Sequence, residues 1–241
     1  MGANSKIEWT HHTFNPWVGC TKVSAACDFC YAETWAKRSG HPELWNGSRR
    51  HTSVENWRQP LKWNAKAAKR APGEPRPRVF CASLADVFDN QVPGRWRGEL
   101  FDLIMQTPDL NWLLLTKRPQ NILKMTHVRF EGHYPDNIWF GTTIENREEM
   151  QRRARHLKEV PARIHFWSVE PLLEDLGTIP RDVMPEWIIC GGESGSHARM
   201  MDPDWARNLH GQCLGADIPF FMKQMTKKAP IPDDLMIREF P

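Results

Sequence analysis

The strongest constraint on the fold is a series of short apolar runs, each of which ends in polar residues. Six such runs follow one another in the sequence: 78–86, 111–118, 137–145, 163–171, 186–195 and 218–224. Consecutive apolar positions over this length are typical of strands that are buried on both faces of a parallel sheet. Segments with helical periodicity separate the runs, so the sequence predicts repeated strand–helix units.

The helical segments carry start signals of their own. Asn146 is a candidate N-cap for a helix over 146–160, and Asp202 followed by Pro203 begins a helix over 202–213. A strand over 13–20 and a helix over 31–40 would add one unit. We therefore predict the α/β class and a partial TIM-like (β/α) barrel of six or seven parallel strands. A doubly wound open sheet is the alternative fold.

Length and composition predict one domain without a membrane span. A chain of 241 residues can bury a single α/β core, and we expect one domain over 1–241 with a basic insertion at about 45–78. No uncharged apolar run reaches the ~18 residues of a membrane helix, and no secretory h-region occurs near the start. These features predict a cytoplasmic protein, which we expect to be a monomer.

Polar side chains follow every predicted strand. The active site of a β/α barrel forms at the carboxyl ends of the strands, so these side chains are expected to surround one mouth. They are Cys20, Ser83, Asp86, Thr116, Lys117, Arg118, Thr142, Thr143, Glu145, Ser168, Glu170, Glu193, Ser194, Lys223 and Gln224.

Three cysteines, Cys20, Cys27 and Cys30, lie within eleven positions. In a reducing compartment such a cluster indicates metal binding rather than disulfides. One possibility is zinc, with His11 or His12 as the fourth ligand. The other is a [4Fe–4S] cluster, in which three thiolates leave one iron open. The spacing alone does not choose between them.

A basic segment over 49–78 contains nine Lys and Arg residues against two Glu, with tryptophans between them. Phosphate contacts combined with aromatic stacking are typical of nucleic-acid binding, whereas a solvated helix and a proline-rich loop are the alternative interpretation. The candidates for contact with a substrate or nucleic acid in this segment are Arg49, Arg50, Trp57, Arg58 and Trp63.

The segment Cys27–Cys30 reads C-x-aromatic-C, which resembles the last two cysteines of radical S-adenosylmethionine (SAM) enzymes. The wider pattern is similar to a phage- and prophage-borne family of radical-SAM-like proteins. The similar segments are 7–33, 80–89, 113–119, 139–146, 167–174, 187–213 and 219–224. The superfamily usually has the spacing C-x3-C-x2-C, whereas this chain has C-x6-C-x2-C.

The resemblance implies a [4Fe–4S] cluster on the three cysteines, with SAM bound to the open iron and cleaved after one-electron reduction. It implies an electron donor such as flavodoxin or ferredoxin. The residues assigned to the cofactors are Phe29, Tyr31, Ser83, Asp86, Lys117, Thr142, Glu145, Ser168 and Glu170. Catalysis is assigned to Glu193, Lys223 and Gln224, and substrate contacts to Arg118 and Arg199.

The leading functional hypothesis is therefore radical SAM chemistry on a nucleobase of phage DNA or on a nucleotide, in the host cytoplasm if a phage encodes the chain. One version is isomerisation of an amino-acid-modified thymine. A DNA photolesion repair lyase, similar to the spore photoproduct lyases, is an alternative, although those enzymes have the shorter cysteine spacing. The third hypothesis is a zinc-stabilised nucleic-acid-binding protein without catalysis.

Overall fold

The computed structural model describes residues 5–241, which form nine strands. In chain order these are β1 (His12–Thr13), β2 (Trp17–Val18), β3 (Arg50–His51), β4 (Arg78–Cys81), β5 (Asn111–Thr116), β6 (Ile138–Thr143), β7 (Ile164–Val169), β8 (Trp187–Gly191) and β9 (Phe220–Gln224). Seven of them form one parallel sheet in the order β1-β4-β5-β6-β7-β8-β9, curled into a half-barrel. The predicted α/β partial barrel is confirmed.

The α-helices of the described chain lie between these strands. They are α1 (Tyr31–Arg38), α2 (Val54–Trp57), α3 (Gln59–Ala67), α4 (Gly94–Met105), α5 (Ile122–Phe130), α6 (Arg147–Lys158) and α7 (Pro203–Ala216). Both predicted caps are confirmed: Asn146 accepts a hydrogen bond from the backbone N–H of Glu149 at 2.8 Å, and Asp202 accepts one from that of Asp204 at 2.9 Å. None of the helices in residues 5–241 is long and apolar enough to cross a membrane.

The first unit differs from its prediction as a single strand over 13–20. Only β1 joins the parallel sheet, beside β4, whereas β2 pairs antiparallel with β3 in a separate two-stranded sheet. Pro16 between them has no N–H to donate to a ladder. Gly19 has a φ of +115°, and a Cβ there would lie 2.6 Å from the carbonyl oxygen of Ser48. The chain therefore turns out of the sheet before it reaches Cys20.

Strand residues alternate between two faces of the half-barrel. On β5, Trp112 and Leu114 face the main core, which contains the apolar sides of α3 to α7, whereas Leu113 faces the concave interior. The concave side is filled by a second cluster, here called the concave floor: Trp9, Phe80, Leu113, Trp139, Phe166, Trp187, Ile189 and Phe221. Gly141 makes room for it, because a Cβ there would lie 2.3 Å from the Phe166 ring.

The basic segment is more buried than the sequence indicated. Trp63 is buried and stacks on His12 with ring centroids 4.4 Å apart. Trp57 is half-buried, donates to the carbonyl of Pro16 at 3.2 Å and stacks on His51. Both indoles make contacts within the protein, which do not support their predicted role in stacking on a nucleic acid.

Candidate active site

A cavity of about 840 Å³ lies at the carboxyl ends of the strands, above the concave floor. Its wall contains all three clustered thiols and a ring of polar side chains from successive strand ends. Its lining includes Cys20, Cys27, Cys30, Ser83, Asp86, Lys117, Thr143, Ser168, Glu170, Lys223 and Gln224. The predicted polar mouth is therefore present, and the cysteine loop forms part of its wall.

The three thiols are unpaired, as are the other three cysteines of the chain. Cys27 is buried, and Cys20 and Cys30 are half-buried. Burial raises the pKa of the Cys20 thiol to about 11, and the Asp86 carboxylate adds to this rise. The Arg118 guanidinium acts in the opposite direction, because its Nη1 lies 3.9 Å from the Cys20 Sγ.

Two arginines hold the cysteine loop at Thr21. Arg118 donates from Nη2 to the Thr21 carbonyl at 3.0 Å, and Arg49 donates from Nη2 to the Thr21 hydroxyl at 2.7 Å. Arg49 is also paired with Asp89, and both of these side chains are only 3% exposed. Arg49 and Arg118 therefore anchor the loop. Arg49 does not line the cavity, so the structure does not support its predicted substrate contact, whereas Arg118 lines the cavity and its substrate contact stays a prediction.

The other end of the same loop is held at Ala25 and Ala26. Arg199 donates from Nη2 to the Ala25 carbonyl at 2.8 Å and is paired with the Glu193 carboxylate. Glu145, which is fully buried, accepts a hydrogen bond from the Ala26 N–H at 3.3 Å. Arg199, Glu193 and Glu145 do not line the cavity, so their predicted contacts with substrate or cofactor are corrected to roles in holding the loop.

Asp86 lines the cavity, but its carboxylate is already occupied. It accepts from the Thr116 hydroxyl at 2.6 Å, from the Lys117 N–H at 3.0 Å and from Arg118 Nη1 at 2.8 Å. It also accepts from the Phe88 N–H at 2.9 Å. These four hydrogen bonds support a positioning role for Asp86 rather than the predicted contact with a cofactor.

Ser83 and Tyr31 line the cavity together. The Tyr31 hydroxyl donates to the Ser83 carbonyl at 2.8 Å, and the Ser83 hydroxyl accepts from Asn15 Nδ2 at 3.0 Å. Phe29, which was assigned to the cofactor, is outside the cavity lining: its exposed ring lies 5.1 Å from the Arg199 guanidinium. The contact between Phe29 and the cofactor is therefore not supported.

On β6 the sequence placed both Thr142 and Thr143 at the mouth, but assigned only Thr142 to the cofactor. Thr142 is fully buried on the convex side and donates to the Thr116 carbonyl at 2.9 Å, whereas Thr143 lines the cavity. Side chains alternate along a strand, so a difference of one residue exchanges the two faces. The alternation from Trp139 through Gly141 to Thr143 on the concave face was the available signal.

The far wall of the cavity is formed by β7 and β9. Lys223 is paired with Glu170, Ser168 lies on the same wall, and Gln224 donates to the Gly192 carbonyl at 2.8 Å. Gly192 permits a close approach of two loops, since a Cβ there would lie 2.4 Å from the Thr226 N atom. Lys223, Gln224, Ser168 and Glu170 are thus brought together as the sequence predicted.

Several cavity residues were missed by the sequence analysis. They come from the segment before β1, from α1 and the turn after it, and from the loop after β9: Ser5, Lys6, Ile7, Trp9, Trp35, Trp45 and Lys228. These segments contain no motif that marks them as part of a site. Their place in the wall depends on contacts between distant parts of the chain.

The chemistry of the donor set fits an iron–sulfur cluster held by three cysteines, because all three thiols face one cavity that has room for a ligand. His11 accepts a hydrogen bond from the Arg78 N–H at 2.9 Å, and His12 stacks on Trp63. Neither imidazole lines the cavity. In the described part of the chain, no group of three or more His, Cys, Asp or Glu side chains is arranged to hold a single metal ion.

Comparison with protein families gives a match over almost the whole chain. Residues 4–233 match the family described as "Protein of unknown function (DUF5131)". The chain belongs to this family. No curated protein shows significant similarity to this DUF5131 member.

Solved structures of spore photoproduct lyases share the fold of this DUF5131 protein. The lyase complexed with dinucleoside spore photoproduct aligns with a TM-score of 0.57 at 12% identity, over 92% of this chain and 78% of that chain. A tyrosine-to-phenylalanine variant of the lyase gives 0.57 at 11% identity, over 94% and 79%. A structure with bound AdoMet and dinucleoside spore photoproduct gives 0.48 at 14% identity, and this chain spans only 63% of it. At such identities the two alignments with a TM-score of 0.57 show a common fold.

Proposed function

We propose that this DUF5131 protein is a radical SAM enzyme that acts on a nucleobase of DNA or of a nucleotide. The observation that carries the proposal is the position of Cys20, Cys27 and Cys30 in the wall of one polar cavity, at the carboxyl ends of a parallel half-barrel. The fold shared with the spore photoproduct lyases supports it.

The three cysteines would hold three irons of a [4Fe–4S] cluster, which leaves the fourth iron for the amino and carboxylate groups of SAM. When bound, the cluster supplies the electron for reductive cleavage of SAM, the source of a 5′-deoxyadenosyl radical. A low-potential protein such as flavodoxin or ferredoxin would deliver that electron in the cytoplasm.

The residues of this chain would bind the ligands and exclude water. Lys117 makes no ion pair with any residue in the range 5–241, so its ammonium is available to a carboxylate or phosphate of the ligand. The hydroxyls of Ser83, Thr143 and Ser168 offer hydrogen bonds on successive strands. The concave floor closes the cavity from below, which keeps water away from reactive species.

Two reactions are compatible with this chemistry. The first is hypermodification of a nucleobase in phage DNA, for example the isomerisation of an amino-acid-modified thymine. Photolesion repair is the second, because the lyases of the same fold were solved with dinucleoside spore photoproduct. The C-x6-C-x2-C spacing favours the first, since it differs from the shorter spacing of those lyases.

Anaerobic reconstitution tests the proposal. Protein purified without oxygen is incubated with iron and sulfide, reduced with dithionite and mixed with SAM. We expect about four irons per chain and formation of 5′-deoxyadenosine, measured by mass spectrometry. One zinc per chain without iron, or a reconstituted cluster that yields no 5′-deoxyadenosine, would reject the proposal.

The two substrates are distinguished in the same assay. Duplex DNA that carries an amino-acid-modified thymine and the dinucleoside spore photoproduct are each supplied with deuterium at the position of hydrogen abstraction. Deuterium in 5′-deoxyadenosine from the modified thymine supports hypermodification, and deuterium from the photoproduct supports repair.

A further inference from the structure

Arg118 makes an unusual contact for a buried cation, because it reaches a candidate cluster ligand. The residue is 7% exposed and lies two positions after the end of β5. Its Nη1 donates to the Asp86 carboxylate at 2.8 Å and also lies 3.9 Å from the Cys20 Sγ, within the range of an N–H···S hydrogen bond. Its Nη2 donates to the Thr21 carbonyl at 3.0 Å. One planar guanidinium therefore bridges the barrel, the cysteine loop and a thiol.

The Asp86 carboxylate fixes the position of this guanidinium. Asp86 accepts hydrogen bonds from Thr116 and from the Lys117 N–H, so the carboxylate is held by the end of β5. A guanidinium carries its donors in a rigid fork and stays charged when buried. Arg118 lines the cavity, but its Nη1 and Nη2 atoms already donate to Asp86 and to Thr21. Its distinctive contact is the one to sulfur.

A cation that donates to a cluster thiolate affects electron uptake. When a cluster accepts one electron, its charge becomes more negative by one, without any bond or proton being transferred. A positive charge and an N–H···S hydrogen bond stabilise that reduced form, because hydrogen bonds to the sulfurs and net charge set the potential of iron–sulfur clusters.

We propose that Arg118 is a positioning residue that holds Cys20 in place and raises the reduction potential of the cluster, so that a low-potential one-electron donor can reduce it. This inference rests on the proposed function, because it requires a cluster on the three cysteines. The proposed role of Arg118, an effect on the reduction potential of the cluster, is distinct from substrate binding and from stabilisation of the fold.

Arg49 offers a matched control. Like Arg118 it is a buried arginine, it is paired with an aspartate and it donates to Thr21. Its recorded partners are Asp89, Ser48 and Thr21, and none of them is a sulfur. A change at Arg49 therefore loosens the loop without removing an N–H···S contact.

The test is a potentiometric titration of the reconstituted protein with dithionite as the one-electron reductant, followed by EPR of the reduced cluster. We expect Arg118→Gln to lower the ratio of reduced to oxidised cluster about tenfold at a fixed potential, which corresponds to ~59 mV for a one-electron couple. Arg49→Gln removes a buried charge but no N–H···S contact, so it is expected to lower the midpoint by clearly less than Arg118→Gln does. Arg118→Lys, which keeps the charge, should recover part of the loss.

Equal midpoints for the Arg118→Gln and wild-type clusters would overturn the inference, and so would equal shifts in the Arg118 and Arg49 variants. If Arg118→Gln alone does not fold, the double variant Asp86→Asn/Arg118→Gln also removes the carboxylate that would be left unpaired. Its midpoint is expected to lie below that of the wild type by the same ~59 mV. A wild-type protein that binds no cluster rejects the proposed function as well, whereas a normal cluster with unchanged midpoints rejects only this inference.

Discussion

The two ends of the concave face of the half-barrel have opposite chemistry. The closed end is the concave floor, in which Trp9, Trp139 and Phe166 surround Trp187 with ring centroids 6.0 to 6.3 Å away. The open end, two to four residues further along the same strands, presents Thr143, Ser168 and Lys223 to the cavity. Both ends are formed by side chains on the same face of the strands. The packed aromatic residues stabilise the fold at the closed end, whereas the residues at the open end can change without disturbing this packing.

This comparison predicts that changes at the open end abolish chemistry without unfolding the protein. Cys20→Ala, Cys27→Ala and Cys30→Ala should each reduce 5′-deoxyadenosine formation to background, because three thiolates are needed to hold a cluster. The metal-free variants should keep the far-UV circular dichroism of the wild type.

The control for these variants is Cys213→Ala, which removes a fully buried thiol from the main core. It is expected to bind iron normally. A Cys213 variant without iron, or a Cys27 variant that still cleaves SAM, would contradict the division between the two ends.

At the closed end, Trp187→Ala should lower the free energy of unfolding without a specific effect on the cleavage of SAM. Deleting a large aromatic side chain from a packed core costs about 3–5 kcal/mol in the free energy of unfolding. Urea denaturation measures this loss, with Leu214→Ala as the control, because Leu214 is 64% exposed and should change stability by less than ~0.5 kcal/mol. Similar losses in both variants would show that the concave floor is not a packed core.

The closed end also contains a carboxylate that makes stability depend on pH. Partial burial opposes its charge, but hydrogen bonds from His165 and Lys158 outweigh this effect and lower the pKa of Glu186 from 4.5 to about 2. Its contribution is therefore present above pH 4.5 and is lost as the pH falls towards 2. Because the Glu186 side chain is 39% exposed, solvent screening limits this contribution to about 1 kcal/mol at pH 7.

We expect Glu186→Gln to lose this ~1 kcal/mol at pH 7 and to approach the wild type in stability between pH 4.5 and 2. Denaturant unfolding at several pH values checks the result. Glu159→Gln, at a carboxylate that is 53% exposed, is the control and should stay within ~0.5 kcal/mol of the wild type. A stability difference at Glu186 that does not change with pH would contradict this interpretation.

The smallest effect is expected in the basic segment, where Arg50 and Arg58 remain exposed. If they contact phosphates, the double variant Arg50→Gln/Arg58→Gln should weaken DNA binding a few-fold and reduce the slope of log K against log salt by about 1 for each contact. Arg155→Gln, in the last turn of α6 and therefore away from the mouth, should have no effect. Fluorescence anisotropy with labelled DNA distinguishes the two variants.

The sequence predicted the elements well because their signals are local. The apolar runs became β4 to β9, and Asn146 and Asp202 cap helices as expected. The assignment of side chains to the site was less successful. Asp86 and Glu193 looked like ligand-binding groups from their place at strand ends, but each is paired with an arginine of the same chain. A position at a strand end predicts that a carboxylate lies near the mouth. It does not show whether an arginine from elsewhere in the chain already pairs with that carboxylate.

What the sequence by itself determined is the order of strands and helices, the polar mouth at the strand ends and the presence of three thiols close together, because each of these is encoded by residues near one another in the chain. Only the tertiary structure decided which groups face the cavity and which hold the cysteine loop. The contact between Arg118 and Thr21 joins residues 97 positions apart, and that between Arg199 and Ala25 joins residues 174 positions apart. Such contacts arise from the closure of the half-barrel, which no local pattern specifies.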